Sequence, residues 1–137
     1  MMLRTRLVSP YTSEGRAVFP TRQRPGVYLI FRADGLRYVG FSASDVYRAM
    51  YRHFQAWNDT SRDRPRAVYP KGGATRVRVI YTNGGAQAAR LERALIIRFR
   101  PKDNPEKLLS YDLGEDERAA MERAASAPFI DPEPAPF

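Results

Sequence analysis

The sequence predicts an α+β domain with a short three-stranded antiparallel sheet flanked by helices. Three observations predict it. Residues 26–40, GVYLIFRADGLRYVG, are two β-branched and aromatic runs around an Asp-Gly turn signal. RVRVIYT at 76–82 alternates basic and apolar residues, as a strand with one buried face does. Two further stretches carry apolar residues at helical spacing. A chain of 137 residues accommodates these elements as one domain with a modest core.

Residues 1–25 are basic and turn-rich, ending in FPTRQRP, and read as an irregular N-terminal arm. GVYLIFR is then a strand, ADG a turn and LRYVG the return strand, with Gly26 and Gly40 at the outer ends of the hairpin. A two-residue turn at Asp34-Gly35 would leave Tyr28 and Tyr38 not directly opposite; a looser turn or a bulge could bring both phenols to one face. SASDVYRAMYRHFQAW opens with Ser and Asp cap candidates, so residues 44–57 read as helix. A long polar loop covers 58–75. AQAARLERALIIRFR is a stronger helix that stops before Pro101. The body thus spans 26–110. The remainder, 111–137, is an acidic, Pro-rich extension with a weak helix in YDLGEDERAAMERAA, expected to be peripheral or partly disordered.

Charge is unevenly placed. The formal net charge is +8, but residues 1–110 hold 21 Lys/Arg against 8 Asp/Glu, and residues 111–137 hold 2 against 7. A body at +13 beside a tail at −5 points to a polyanionic partner, because each neutralised phosphate releases counterions. The tail is expected to compete with that partner for the basic surface. There is no cysteine and one histidine, which excludes disulfides, thiolate chemistry and a His-rich metal site. No apolar run approaches the roughly 20 residues of a membrane helix, and MMLRTRLVSPYTSEGR has no apolar core of an export signal. The expected location is cytoplasmic.

One residue breaks the pattern of its helix. At about 100° per residue, Glu92 has Phe99 about 20° away, Ala88 and Ile96 about 40° and Leu95 and Ala89 about 60°. It is the centre of the apolar stripe, while Arg90, Arg93 and Arg98 point elsewhere. A carboxylate there needs an arginine partner, an escape to the edge or a divalent ion. In the first helix Val46, Ala49, Met50, His53 and Trp57 share a side. Arg48 and Arg52 lie one turn apart on the polar face, able to address one phosphate region. His53, among apolar neighbours, reads as a satisfied, partly buried histidine.

Taken together these residues resemble the GIY-YIG nuclease family. The two naming motifs correspond to GVY at 26–28 and YVG at 38–40. Arg48 stands eight positions past Gly40, where the family's essential arginine falls. LERALIIRFRPKDN matches the later helix with its metal-binding glutamate, proline and asparagine, giving Glu92, Pro101 and Asn104. The chain departs from members with a histidine one turn after the arginine: that place is Arg52, and His53 follows it.

The resemblance implies metal-dependent endonucleolytic hydrolysis of DNA. Glu92 would hold Mg²⁺ or Mn²⁺, Tyr28 and Tyr38 would activate water, Arg48 would engage the scissile phosphate, and Asn104 would fix the Glu92 helix or the site's edge. Arg52, with Arg62, Arg64, Arg66 and Lys71 around Tyr69, is expected to grip nucleic acid, with base stacking on the tyrosine. A non-catalytic nucleic-acid-binding protein on the same scaffold is the alternative. So is a nuclease module that relies on a partner for specificity. One active centre cuts one strand, so a double-strand break calls for a homodimer on the substrate or a second event.

Overall fold

A computed structural model describes residues 2–19, 23–55, 67–104 and 114–132. In chain order the elements are β1 (Leu3–Thr5), β2 (Gly26–Arg32), β3 (Gly35–Ser42), α1 (Val46–Tyr51), a 3₁₀ turn (Arg52–Phe54), β4 (Arg76–Tyr81), α2 (Gly85–Phe99), α3 (Glu115–Ser126) and β5 (Phe129–Ile130). The α+β class holds. The three antiparallel strands expected from sequence are β3, β2 and β4, but the sheet has five strands in the order β3-β2-β4-β1-β5, and β5 runs parallel to β1.

The two added strands come from stretches read as irregular or peripheral. β1 pairs antiparallel with β4, and Val8 bridges Val77 by a pair of backbone hydrogen bonds. Phe19 is 1% exposed, so the first residues are part of the core. Such short strands carry too few alternating residues to register as a pattern. Downstream, α3 packs on α2 through the buried Ala120 and Ala124.

The sheet separates two apolar clusters. Val27, Leu29, Val39 and Ile80 face α2 and α3. Tyr28, Ile30, Val77, Val79 and Tyr81 face α1 and the first residues. Helices therefore cover both faces, and strand side chains alternate between them as a pleated sheet requires. No helix among the described residues is long and apolar enough to cross a membrane.

The hairpin turn is at Ala33–Asp34, with Gly35 at φ 114° beginning β3. This is one residue earlier than the Asp34-Gly35 turn expected from sequence. The first helix is shorter than 44–57. Asp45 caps α1 by accepting the Arg48 N–H at 3.1 Å. The helix gives way to the 3₁₀ turn where the His53 carbonyl accepts the Tyr69 N–H at 2.7 Å, an acceptor thereby used outside the helix. α2 ends with Arg100 in the left-handed region, φ 47°, just before Pro101, a common helix stop.

Candidate active site

Register decides whether the two tyrosines can meet. From the turn, Arg32 pairs with Gly35 and Phe31 with Leu36; Ile30 then pairs with Tyr38, not Arg37. Arg37 is the extra residue of a bulge, and the slip moves Tyr38 to the Tyr28 face. The rings are stacked, with centroids 6.0 Å apart and planes 21° from parallel. The bulge explains how a hairpin whose simple register would separate the phenols brings them together.

Both motif glycines have steric reasons. Gly40 is opposite Tyr28, and a Cβ on it would overlap the Tyr28 phenol. On Gly26 a Cβ would come within 2.6 Å of the Ile80 carbonyl oxygen, where β4 crosses closely.

His53 completes the cluster. Fully buried, it lies 2.8 Å through Nε2 from the Tyr28 hydroxyl, and its ring centroid is 4.5 Å from that of Tyr38. Its Nδ1 is 2.7 Å from the Ala67 carbonyl. A carbonyl only accepts, so Nδ1 carries the proton, and in the neutral ring Nε2 accepts from the Tyr28 hydroxyl. The sequence placed His53 on the apolar side of its helix, which is correct, but burial there is what puts it against Tyr28. Tyr28 is 3% exposed and Tyr38 half-buried.

Arg48 is exposed on α1 and Arg52 half-buried. With Gln23, Ser42, Ser44 and Asp45 they line a polar hollow of about 270 Å³. Ser42 follows Tyr38 and Gly40 on the same face of β3, so the hollow continues the row that carries the phenols. Its Oγ accepts the N–H groups of Ser44 and Asp45 at 3.2 and 3.0 Å, leaving its own proton to donate. Helical spacing already placed Ser44 beside the arginines, whereas Ser42 and Asp45 were not legible as their neighbours.

Glu92 is 2% exposed, as the helical geometry anticipated. It stands on α2, the helix that covers the opposite face of the sheet from the phenols. Asn104 pairs with the open edge of β3. Its Oδ1 accepts the Val39 N–H at 2.8 Å and its Nδ2 donates to the Val39 carbonyl at 3.1 Å. It thus serves as one more rung on the exposed side of β3, between Tyr38 and Gly40. Beside it the Asp103 N–H donates to the Arg37 carbonyl at 2.9 Å.

The remaining basic residues divide. Lys71 is exposed, 5.3 Å from the centre of the Tyr11 ring. Arg62, Arg64 and Arg66 lie outside the described residues. Tyr69 does not present a stacking face. It is buried and donates its hydroxyl to Asp103 Oδ2 at 2.6 Å; the apolar ring was drawn inward by the core. Burial, reinforced by the Asp103 carboxylate, pushes its phenol well above the ordinary value.

A divalent ion wants hard oxygen donors. Among the described residues no group of three or more His, Cys, Asp or Glu side chains is placed to hold one. Glu92, the carboxylate that the resemblance assigns to a metal, is buried on the helix across the sheet from the phenols. Comparison with known protein families, curated proteins and solved structures gives no match to this chain.

Proposed function

We propose that the chain is a metal-dependent DNA endonuclease of the GIY-YIG type. The observation that carries this reading is the Tyr28–Tyr38–His53 cluster, assembled by a one-residue bulge and continuous along β3 with the hollow of Arg48 and Arg52. In this reading the Tyr28 oxygen takes a proton from water while its own proton passes to His53 Nε2. The resulting hydroxide attacks phosphorus, the opposite P–O bond breaks, and the departing alkoxide takes a proton from solvent. Arg48 holds the phosphate oxygens with its fork of N–H donors as charge develops on them. Tyr38 walls the phenol on its open side. The resemblance gives Mg²⁺ or Mn²⁺ to Glu92, where it would supply Lewis-acid stabilisation of phosphoryl oxygens, although that carboxylate stands on the helix across the sheet from Tyr28. The basic body holds the DNA backbone.

The test is nicking of supercoiled plasmid in Mg²⁺ alongside a binding assay. Arg48→Ala and Glu92→Ala are expected to abolish cleavage while largely keeping DNA binding. A Glu92→Ala protein that cuts as fast as the parent overturns the mechanism. Burial favours a second reading. With Tyr28 at 3% and Glu92 at 2% exposure, the cluster would hold the fold together while the basic surface binds nucleic acid without cutting it. Salt-sensitive binding by the parent, with no cleavage of supercoiled, single-stranded or branched DNA in either metal, selects that reading.

A further inference from the structure

The face of the sheet opposite the phenols carries a second hollow, of about 340 Å³. Leu29, Phe31 and Ile80 line it from the strands, and Leu95 and Met121 from α2 and α3. Arg4 of β1 and Arg78 of β4 complete the wall. Two guanidinium groups in a largely apolar lining are costly unless their charge is met.

Here it is only partly met within the described residues. The Nε atoms of Arg4 and Arg78 are buried without a hydrogen-bond partner. Among the described residues no carboxylate forms an ion pair with either side chain. Arg4 lies 4.1 Å from the centre of the Phe129 ring and Arg78 6.0 Å, so one aromatic ring orders both heads. Burial, and then the charge of Arg4, pulls the Arg78 guanidinium below its ordinary value. Two like charges held together with N–H donors to spare are complementary to one anion. The remaining lining is complementary to hydrocarbon, and the volume falls in the range of small-ligand sites.

We propose that this hollow binds a small organic anion with an apolar body, its head on Arg4 and Arg78 and its body among Leu29, Phe31, Leu95 and Met121. The head is a carboxylate or a phosphate, both of which match a guanidinium fork. Calorimetric titration of the full chain with decanoate and with decyl phosphate, below their micelle concentrations, tests this and separates the two heads. At least one is expected to bind saturably, one per chain, at least tenfold tighter than the uncharged decanol. Arg78→Met is expected to weaken it at least tenfold. Ala125→Phe, which places a ring in the hollow from an exposed helix position, is expected to do the same with an unchanged far-UV spectrum. The second variant carries the test if the first does not fold. Absence of saturable binding for both anions overturns the proposal, as does decanol binding as tightly or affinity indifferent to Ala125→Phe.

Discussion

A methyl group on Gly40 would occupy the space of the Tyr28 phenol, so Gly40→Ala displaces the ring or spreads β2 from β3. Overpacking of this kind costs about 1–3 kcal/mol, to be read from the urea midpoint, and the Tyr28–His53 hydrogen bond is expected to be lost with it. If stability is unchanged, the Tyr28 phenol is not over Gly40. Two other phenols set an alkaline limit. Burial raises Tyr51 and Tyr69 well above their ordinary values. The unfolded chain releases these protons near pH 10, and the folded chain holds them. Stability is therefore full below about pH 10 and falls as pH rises through it. Tyr69→Phe should flatten that fall, measured by denaturation at successive pH values, although loss of the bond to Asp103 costs about 1 kcal/mol at neutral pH. The Tyr51 hydroxyl donates to the Pro10 carbonyl at 2.7 Å and accepts the Phe19 N–H at 3.1 Å. Its ionisation should thus loosen the first residues before the hairpin.

At the scale of elements, β3 is an edge strand whose exposed side is finished by one side chain. Asn104→Ala leaves the buried Val39 N–H and carbonyl without their partner, at about 1–3 kcal/mol for each group. Hydrogen exchange at the Val39 amide should accelerate, and unchanged protection would contradict the assignment. Much at this scale was legible in the sequence. Hairpin, alternating strand and two helices came from periodicity and turn chemistry, and the anomaly of Glu92 from helical angles alone. The pairing of Tyr28 with Tyr38 was not, because it depends on a bulge at Arg37 that puts Leu36 and Tyr38 on opposite faces, and no residue of the hairpin marks where the extra residue is taken up. Nor was the Tyr28–His53 bond, since an apolar-face histidine reads the same whatever it touches. Leu3–Thr5 and Phe129–Ile130 are too short for any period, and only the tertiary partner makes them strands.

At the scale of the molecule, the acidic and basic stretches are joined in one core. Ala120, Ala124 and Ala127 are buried in the cluster that includes Leu91 and Leu95, so removal of residues 111–137 should lower the melting midpoint by several degrees. That truncation would therefore confuse stability with charge in any measurement of DNA affinity. Substituting the exposed Glu115, Asp116 and Glu122 with their amides isolates charge, apart from a helix-dipole loss of about 0.3–1 kcal/mol each for Glu115 and Asp116. DNA affinity is expected to rise in the triple variant at low salt and to converge with the parent at high salt. Equal affinity at low salt would show that the tail does not compete.

β1 lies inside the sheet, with β4 on one side and β5 on the other, and the flanking pair Arg6–Asp131 is separated by 125 residues. A chain emerging from the ribosome can close its hairpin early. The outermost rung, however, waits until Phe129 and Ile130 have been made. Connections between such distant partners slow the search for the native state. Refolding should accordingly show the tyrosine cluster burying its rings before the far edge of the sheet acquires exchange protection.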